Sequence, residues 1–230
     1  MCTILTIDVS FFQSNRKSVL DRIKSDALYN SDGWSLVCID SLEPENNIQV
    51  QSMNLAAVLK ALDLFTDTCS EYSRIFLHAR AATTRYVGLA YCHGFTDLGG
   101  RIFMHNGIIA NPEHATVDSF NILAAPAGDE LAWFAARGDT YANVFIIDTE
   151  TETYTVLRLV TGQLHTDGQG NFSSHPFASI IQPVAHNTSQ DFDMYAPVSI
   201  GTTSPWHGGS GNFEDSYVGQ WDSYYSKKYK

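Results

Sequence analysis

The chain has 230 residues, 44% of them hydrophobic and 17% charged, a balance that supports a substantial core and excludes wholesale disorder. Fourteen Lys and Arg against 25 Asp and Glu leave a net charge of −11, which repels phosphate backbones and anionic lipid and argues against nucleic-acid or membrane-surface binding. No apolar run is long enough to span a bilayer and the N-terminus lacks a basic-plus-apolar signal region, so a cytoplasmic globular protein is expected.

Residues 2–9 predict a β-rich strand beginning at the terminus itself. Ser14 is expected to cap a helix running to about residue 28, with Val19, Leu20, Ile23 and Leu28 at near-helical spacing. Asn30-Ser31-Asp32-Gly33 reads as a turn ahead of a buried strand, Trp34 to Ile39. A further turn around Pro44 leads into a helix from Asn54 to about Asp67, striped by Leu55, Val58, Leu59, Leu62 and Phe65. Arg74 to Ala79 reads as a strand that enters a polar loop at Arg80. Arg101 to His105 reads as another, ending in a sharp turn at Asn106-Gly107. Residues 117–124 and 128–136 predict helices, and Asn143 to Asp148 with Thr153 to Val160 predict a hairpin. Strands and helices are grouped instead of alternating, which favours an α+β fold with antiparallel sheets. After about residue 204 seven aromatics (Trp206, Phe213, Tyr217, Trp221, Tyr224, Tyr225 and Tyr229) lie among Gly, Ser and Asp. The reading is one domain over residues 1–204 and a tail, 205–230, able to pack on the body or on a partner.

Four cysteines, Cys2, Cys38, Cys69 and Cys92, form no CxxC and no Cys/His comb, and neither a phosphate loop nor a dinucleotide fingerprint is present, so no metal or cofactor is expected. Cys38 and Cys69 sit among apolar residues and read as small core side chains. Cys2 differs, because removal of Met1 would leave a thiol and a free α-amine on one residue. With an ordinary amine pKa of about 7.7–8.0, nucleophile and general base would arrive together. Three segments downstream carry compatible chemistry. In His78-Ala79-Arg80-Ala81-Ala82-Thr83 the guanidinium is a planar fork suited to a carboxylate, followed three residues later by a hydroxyl. In His105-Asn106-Gly107-Ile108-Ile109 a side-chain amide and a backbone N–H can point two donors at one oxyanion. In Thr116-Val117-Asp118-Ser119 a carboxylate can hold a substrate ammonium. Each segment also has a plain reading: Arg80 in a surface ion pair, Asn106-Gly107 as a hairpin turn, Asp118 as a helix cap. His78 and His105 read as core or supporting groups, and His114, His165, His175, His186 and His207 as loop residues without metal spacing.

Taken in order, Cys2, the HxRxAT segment, HNGII and Asp118 resemble the glutaminase domain of class II glutamine amidotransferases, which are N-terminal nucleophile hydrolases. The similarity runs from Cys2 to about residue 160 and includes Asn30-Ser31-Asp32-Gly33-Trp34, which is similar to the NxDGW turn of stand-alone members. Asp139 to Arg158 resembles the family's following strand pair, and Gly162-Gln163-Leu164 with Asn171-Phe172-Ser173-Ser174 the end of such a domain. The resemblance implies a four-layer αββα sandwich with two antiparallel sheets. It implies that Cys2 attacks the side-chain amide of glutamine, with its α-amine as base. Asn106 and Gly107 would form the oxyanion hole, Arg80 would clamp the α-carboxylate, Asp118 would hold the α-ammonium and Thr83 would line the substrate loop. Departures from the family pattern lie at Tyr29 and Asn30 in place of Arg-Gly, at Ser35 in place of Gly, at Gly94 in place of Pro after His93, and at Ser119-Phe120 in place of Thr-Glu. Nothing after residue 160 reads as long enough to bind and activate a second substrate, so the expectation is either that ammonia passes to a separate acceptor enzyme, with the tail as candidate docking element, or that free glutamine hydrolysis is the whole reaction. Two alternatives share the scaffold: an amidase or acylase for another amide, and a non-catalytic binding or structural protein.

Overall fold

The computed structural model describes residues 2–83, 86–109, 118–136, 141–159, 164–166, 170–174, 182–183 and 192–199. Side chains buried on both faces make β1 (Thr3–Asp8) an interior strand. Asp8 ends it and caps α1 (Val9–Ala27), its carboxylate accepting from the Phe11 N–H and the Ser10 hydroxyl. The helix therefore starts at Val9 and not at Ser14. An acidic cap at the strand end, with Phe11 and Phe12 buried behind it, takes the role expected of Ser14. The helical path bends at Asn15 (φ −121°, ψ 16°), whose side-chain amide donates to the Phe11 carbonyl at 3.0 Å. β2 (Trp34–Ile39) follows the Asp32-Gly33 turn, and β3 (Ile48–Ser52), a strand the sequence reading did not foresee, pairs with it. Asn54 caps α2 (Leu55–Thr68) by accepting from the Ala56 N–H at 2.9 Å, and β4 (Arg74–Ala79) returns between β1 and β2.

The second half supplies β5 (Phe95–Thr96), β6 (Ile102–Ile108), a 3₁₀ turn over Asp118–Ala124, α3 (Glu130–Ala135), β7 (Tyr141–Asp148) and β8 (Thr153–Leu159). Short strands β9 (His165–Thr166), β10 (Phe172–Ser173) and β11 (Gln182–Pro183) precede β12 (Phe192–Ser199). Residues 118–124 are thus 3₁₀ instead of α-helical, and His165 is a buried strand residue instead of a loop histidine. Residues 205–230 lie outside the described residues.

Every pairing among the described strands is antiparallel. One sheet runs β11-β9-β10-β1-β4-β2-β3 and the other β12-β8-β7-β6-β5. Three apolar clusters show how they stack. Leu5, Ile7, Leu36 and Leu77 of the first sheet pack under Val19, Ile23, Val58 and Leu62 of α1 and α2. Ile4, Val37 and Phe76 face Met104, Phe145 and Val156 across the space between sheets, with Phe76 edge-on to Tyr154 at 5.4 Å. Phe103, Val144 and Ile146 on the far face of the second sheet meet Ile122 of the 3₁₀ turn and Phe134 of α3. The result is a mixed α+β sandwich of two antiparallel sheets, with helical elements on both outer faces. No helix among the described residues is long and apolar enough to cross a membrane.

Half-burial alone would raise the Asp8 carboxyl, but the Ser10 hydroxyl, the Phe11 N–H and the Arg74 guanidinium outweigh it and hold it below the usual carboxylate range. Its stabilisation is therefore present above the unfolded-chain value of about 4 and lost as pH falls through the lower folded value. Asp8→Ala is expected to cost about 1–2 kcal/mol at neutral pH. Urea melts of both proteins at neutral and strongly acidic pH check this, because the difference must shrink in acid.

Candidate active site

Strand periodicity decides what lines one end of the space between the sheets. In β1, Ile4 faces that space while Leu5 and Ile7 face the helices, so Cys2 lies on the Ile4 side. In β4, His78 follows Phe76 onto the same face, and Arg80 continues the alternation one residue past the strand. On the opposing sheet the same count takes Ile102 and Met104 to Asn106, Phe145 to Asn143, and Val156 to Arg158. The last three stand in register: Asn106 pairs with Asn143, and Asn143 with Arg158. The inter-sheet core is thus apolar through its middle and polar at one end, where these buried side chains collect.

The β1–β4 register, from Thr3 opposite Ala79, places Cys2 opposite Arg80. Cys2 is half-buried; its Sγ accepts from the Ala81 N–H at 3.3 Å and lies 3.5 Å from the Ala81 carbonyl. The Asp32-Gly33 turn closes the other side of this segment. The Asp32 N–H donates to the Arg80 carbonyl (3.0 Å), the Arg80 N–H to the Gly33 carbonyl (2.8 Å), and the Ala82 N–H to the Asp32 carboxylate (2.8 Å). Gly33 has φ +137°, and a Cβ there would stand 2.4 Å from the Cys92 sulfur, so both backbone and space demand glycine. Asn30, itself buried, donates to the Thr3 hydroxyl at 3.0 Å, next to Cys2.

Arg80 is 4% exposed, yet its Nη1 has no hydrogen-bond partner and the guanidinium has no carboxylate partner among the described residues. The surface ion pair allowed for it by sequence is replaced by a buried site. Its described surroundings include the Tyr91 ring, 5.9 Å from the guanidinium carbon, and the buried His78 and His93. A buried cation without a counter-ion is costly, and an anionic ligand is what relieves it. Tyr91 in turn lies 6.1 Å from Phe120, which belongs to the 3₁₀ turn that Asp118 opens. That turn therefore stands beside the arginine's surroundings, while the Asp118 side chain lies outside the described residues. Thr83 is exposed, and among the described residues no hydrogen bond joins it to Cys2, Asp32 or Arg80.

Asn106-Gly107 is not the sharp turn expected: β6 runs through both residues to Ile108, because β7 pairs with them at Asn143 and Ala142. Asn106 is buried with no partner on its Oδ1, and Gly107 has φ +131°, a conformation that favours glycine. The two sheets are joined here by a hydrogen bond from His78 Nε2 to the carbonyl of His105, 3.0 Å long. The fold thus draws the HxR and HNG segments together. Burial, then His105 and Arg80, hold the His78 pKa well below its ordinary value, so the ring is neutral. No group of three His, Cys, Asp or Glu able to hold a metal occurs among the described residues. Asp32, Tyr91 and His93 escaped the sequence reading as site residues. Asp32 had a signal in the Asp-Gly turn, which marked a bend without saying what the carboxylate would hold, and His93 had one in the segment that resembles the family's His-Pro-Phe, which assigned the ring no role.

No family model matches the chain, and no curated protein matches it in sequence. Among solved structures it is similar to a glutamine aminotransferase class-II domain protein from Silicibacter pomeroyi, at 12% identity and a TM-score of 0.40, over 75% of this chain and 86% of that one.

Because the Arg80 charge is buried and unpaired, Arg80→Met is expected to raise Tm by a few degrees, on the order of 1 kcal/mol or more. The same variant should lose any thermal stabilisation that a small carboxylate such as glutamate confers on the parent. Differential scanning fluorimetry with and without glutamate measures both, and a lower Tm would contradict the unpaired-charge reading.

Proposed function

We propose that this chain is a class II glutamine amidotransferase domain of the N-terminal nucleophile type, hydrolysing the side-chain amide of glutamine to glutamate and ammonia. The observation that carries the reading is Cys2 held opposite Arg80, a buried cation with no carboxylate partner among the described residues. A nucleophile beside an anion receptor suits a substrate with a carboxylate at one end and an amide at the other. The two-sheet sandwich supports assignment to the N-terminal nucleophile hydrolase fold, in which the chain terminus enters the cleft on a central strand.

Once Met1 is removed, the α-amine of Cys2 takes the thiol proton, directly or through water, and the sulfur attacks the amide carbon of glutamine. The carbonyl oxygen becomes an oxyanion, for which the Asn106 side-chain amide and the Gly107 N–H are the donors. The α-ammonium formed on Cys2 returns its proton to the departing nitrogen, and ammonia leaves. Water, deprotonated by the same amine, attacks the glutamyl thioester and releases glutamate. Arg80 binds the substrate α-carboxylate as a fork, Asp118 binds its α-ammonium, and Thr83 lines the substrate loop. Ammonia passes to a separate acceptor enzyme that docks through the 205–230 tail, the domain itself being residues 1–204.

Ammonia release from glutamine by the Met1-processed protein is the direct test, with intact mass confirming the processing. Cys2→Ala is expected to lower turnover by at least about a thousandfold and to abolish labelling by a diazo-ketone analogue of glutamine. Arg80→Ala should raise KM for glutamine strongly; an unchanged KM with intact turnover would reject the glutamine reading in favour of another amide.

A further inference from the structure

Three buried histidines take no part in the chemistry above, yet they stand between its two halves. His78 belongs to β4, His105 to β6, and His93 to the segment ahead of β5. The His78 and His93 rings stack 3.7 Å apart and within 5° of parallel, and His93 meets His105 at 4.5 Å. The position of His93 is set by the first sheet. Its carbonyl accepts from the Ser35 hydroxyl (2.6 Å) and the Gln51 amide (2.8 Å), both from the β2–β3 pair.

The hydrogen bonds also set the protonation states. The His105 backbone N–H donates to His93 Nδ1 at 3.1 Å, so that nitrogen must be bare. His78 Nε2 faces the His105 carbonyl, so it must carry its proton. His105 is therefore held through its N–H by His93 and through its carbonyl by His78. It directly precedes Asn106-Gly107, while His78 stands two residues before Arg80. Protonation of His93 at Nδ1 would put a donor against a donor and break the first of these bonds.

We propose that His93 is a positioning residue that sets the spacing between Arg80 and the Asn106-Gly107 pair, and that its protonation releases β6 from that setting. The kinetic part of this proposal rests on the glutamine reading above. Among the described residues, the groups that face His93 include the stacked His78 from β4, His105 from β6 and the Arg80 cation, with the Phe95 ring at 5.3 Å. Burial first, then His78, His105 and Arg80, hold its pKa well below the ordinary value. The setting therefore persists at neutral pH. Because the unfolded chain binds the proton more readily, the folded state loses stability as pH falls below about 6.5.

Two substitutions separate the ring from the acceptor. His93→Asn places a carbonyl oxygen near the Nδ1 position and cannot titrate, whereas His93→Phe keeps a stacking ring and removes the acceptor. Near pH 8, His93→Phe is expected to lower kcat/KM for glutamine by at least about tenfold, as a misplaced donor pair would. His93→Asn should restore most of that loss. In acid, the parent's log kcat/KM should fall more steeply than the single proton of the Cys2 amine requires, and His93→Asn should return the slope to one proton. An independent readout is the Asn106 amide resonance in ¹⁵N-labelled protein, expected to move with pH in the parent, to stay still in His93→Asn and to be displaced in His93→Phe. Unchanged kinetics and an unmoved resonance in His93→Phe would overturn the proposal; if that variant fails to fold, a parent-like acid slope in His93→Asn overturns it. A parent that releases no ammonia while Asn106 follows His93 as described would defeat the glutamine reading and leave the positioning role standing.

Discussion

The antiparallel ladder between β1 and β4 is the constraint on which the rest of the site depends. Its six paired positions, from Thr3 with Ala79 to Asp8 with Arg74, leave no freedom to slide, since a one-residue slip would turn Ile4 and Phe76 away from the inter-sheet core and Leu5 and Leu77 away from the helices. Both strands are buried on both faces, so register is enforced twice. The ladder is anchored at its far side as well: the Ile4 N–H donates to the Ser174 hydroxyl, and the Ser174 N–H returns a bond to the Ile4 carbonyl. A chain terminus is ordinarily loose. Here the second residue is placed by two neighbouring strands, and Cys2 arrives opposite Arg80 because β1 has no other way to lie.

Across the cleft a second polar row answers the first. Asn106, Asn143 and Arg158 stand side by side in β6, β7 and β8, buried where an uninterrupted sandwich would carry leucine and valine. Polar groups buried in this way lower stability unless something repays their desolvation. They are concentrated at one end of the inter-sheet space while Phe76, Met104, Phe145 and Tyr154 fill the middle with apolar and aromatic surface. The division of labour is spatial. Packing between the sheets carries the fold, and the same strands, two or four residues further along, present buried polar groups at one end of that space. The histidine stack bridges the two rows with neutral, planar rings, which satisfy backbone groups from β6 without adding a further charge near Arg80.

The legible parts of the sequence were those with strong local signals. The helix at Leu55–Thr68 declared itself by its apolar stripe and Asn54 cap, and the hairpin of β7 and β8 by two β-rich runs around TETE. The errors came where competing local signals were nearly equal. Ser14 and Asp8 are both good caps, and the choice fell to Asp8 because burial of Phe11 and Phe12 requires helix from Val9 onward. Asn-Gly is a strong turn signal, yet Gly107 uses its positive φ inside a strand, where β7 supplies the pairing that a turn would have ended. β3 alternates Ile48 and Val50, packed on the core, with Gln49 and Gln51, but over only five half-exposed residues at a sheet edge, too short a run to stand out; those glutamines hold the carbonyls of Cys92, His93 and Gly94.

The sequence alone determined the inventory: an acidic globular chain, an α+β grouping of elements, a cysteine next to Met1, and an arginine and an Asn-Gly pair at the ends of β-rich runs. Those are matters of composition and local pattern, which a chain carries whether or not it is folded. Tertiary structure decided which of these residues meet. Arg80 could have been a solvated ion pair, and only the stacking of one sheet on the other buries it without a carboxylate partner among the described residues. His93 could have been any core histidine, and only the approach of β4 to β6 places it between His78 and His105. The physical reason is range: strand and helix signals act over a few residues, whereas burial and counter-ions are settled by segments tens of residues apart.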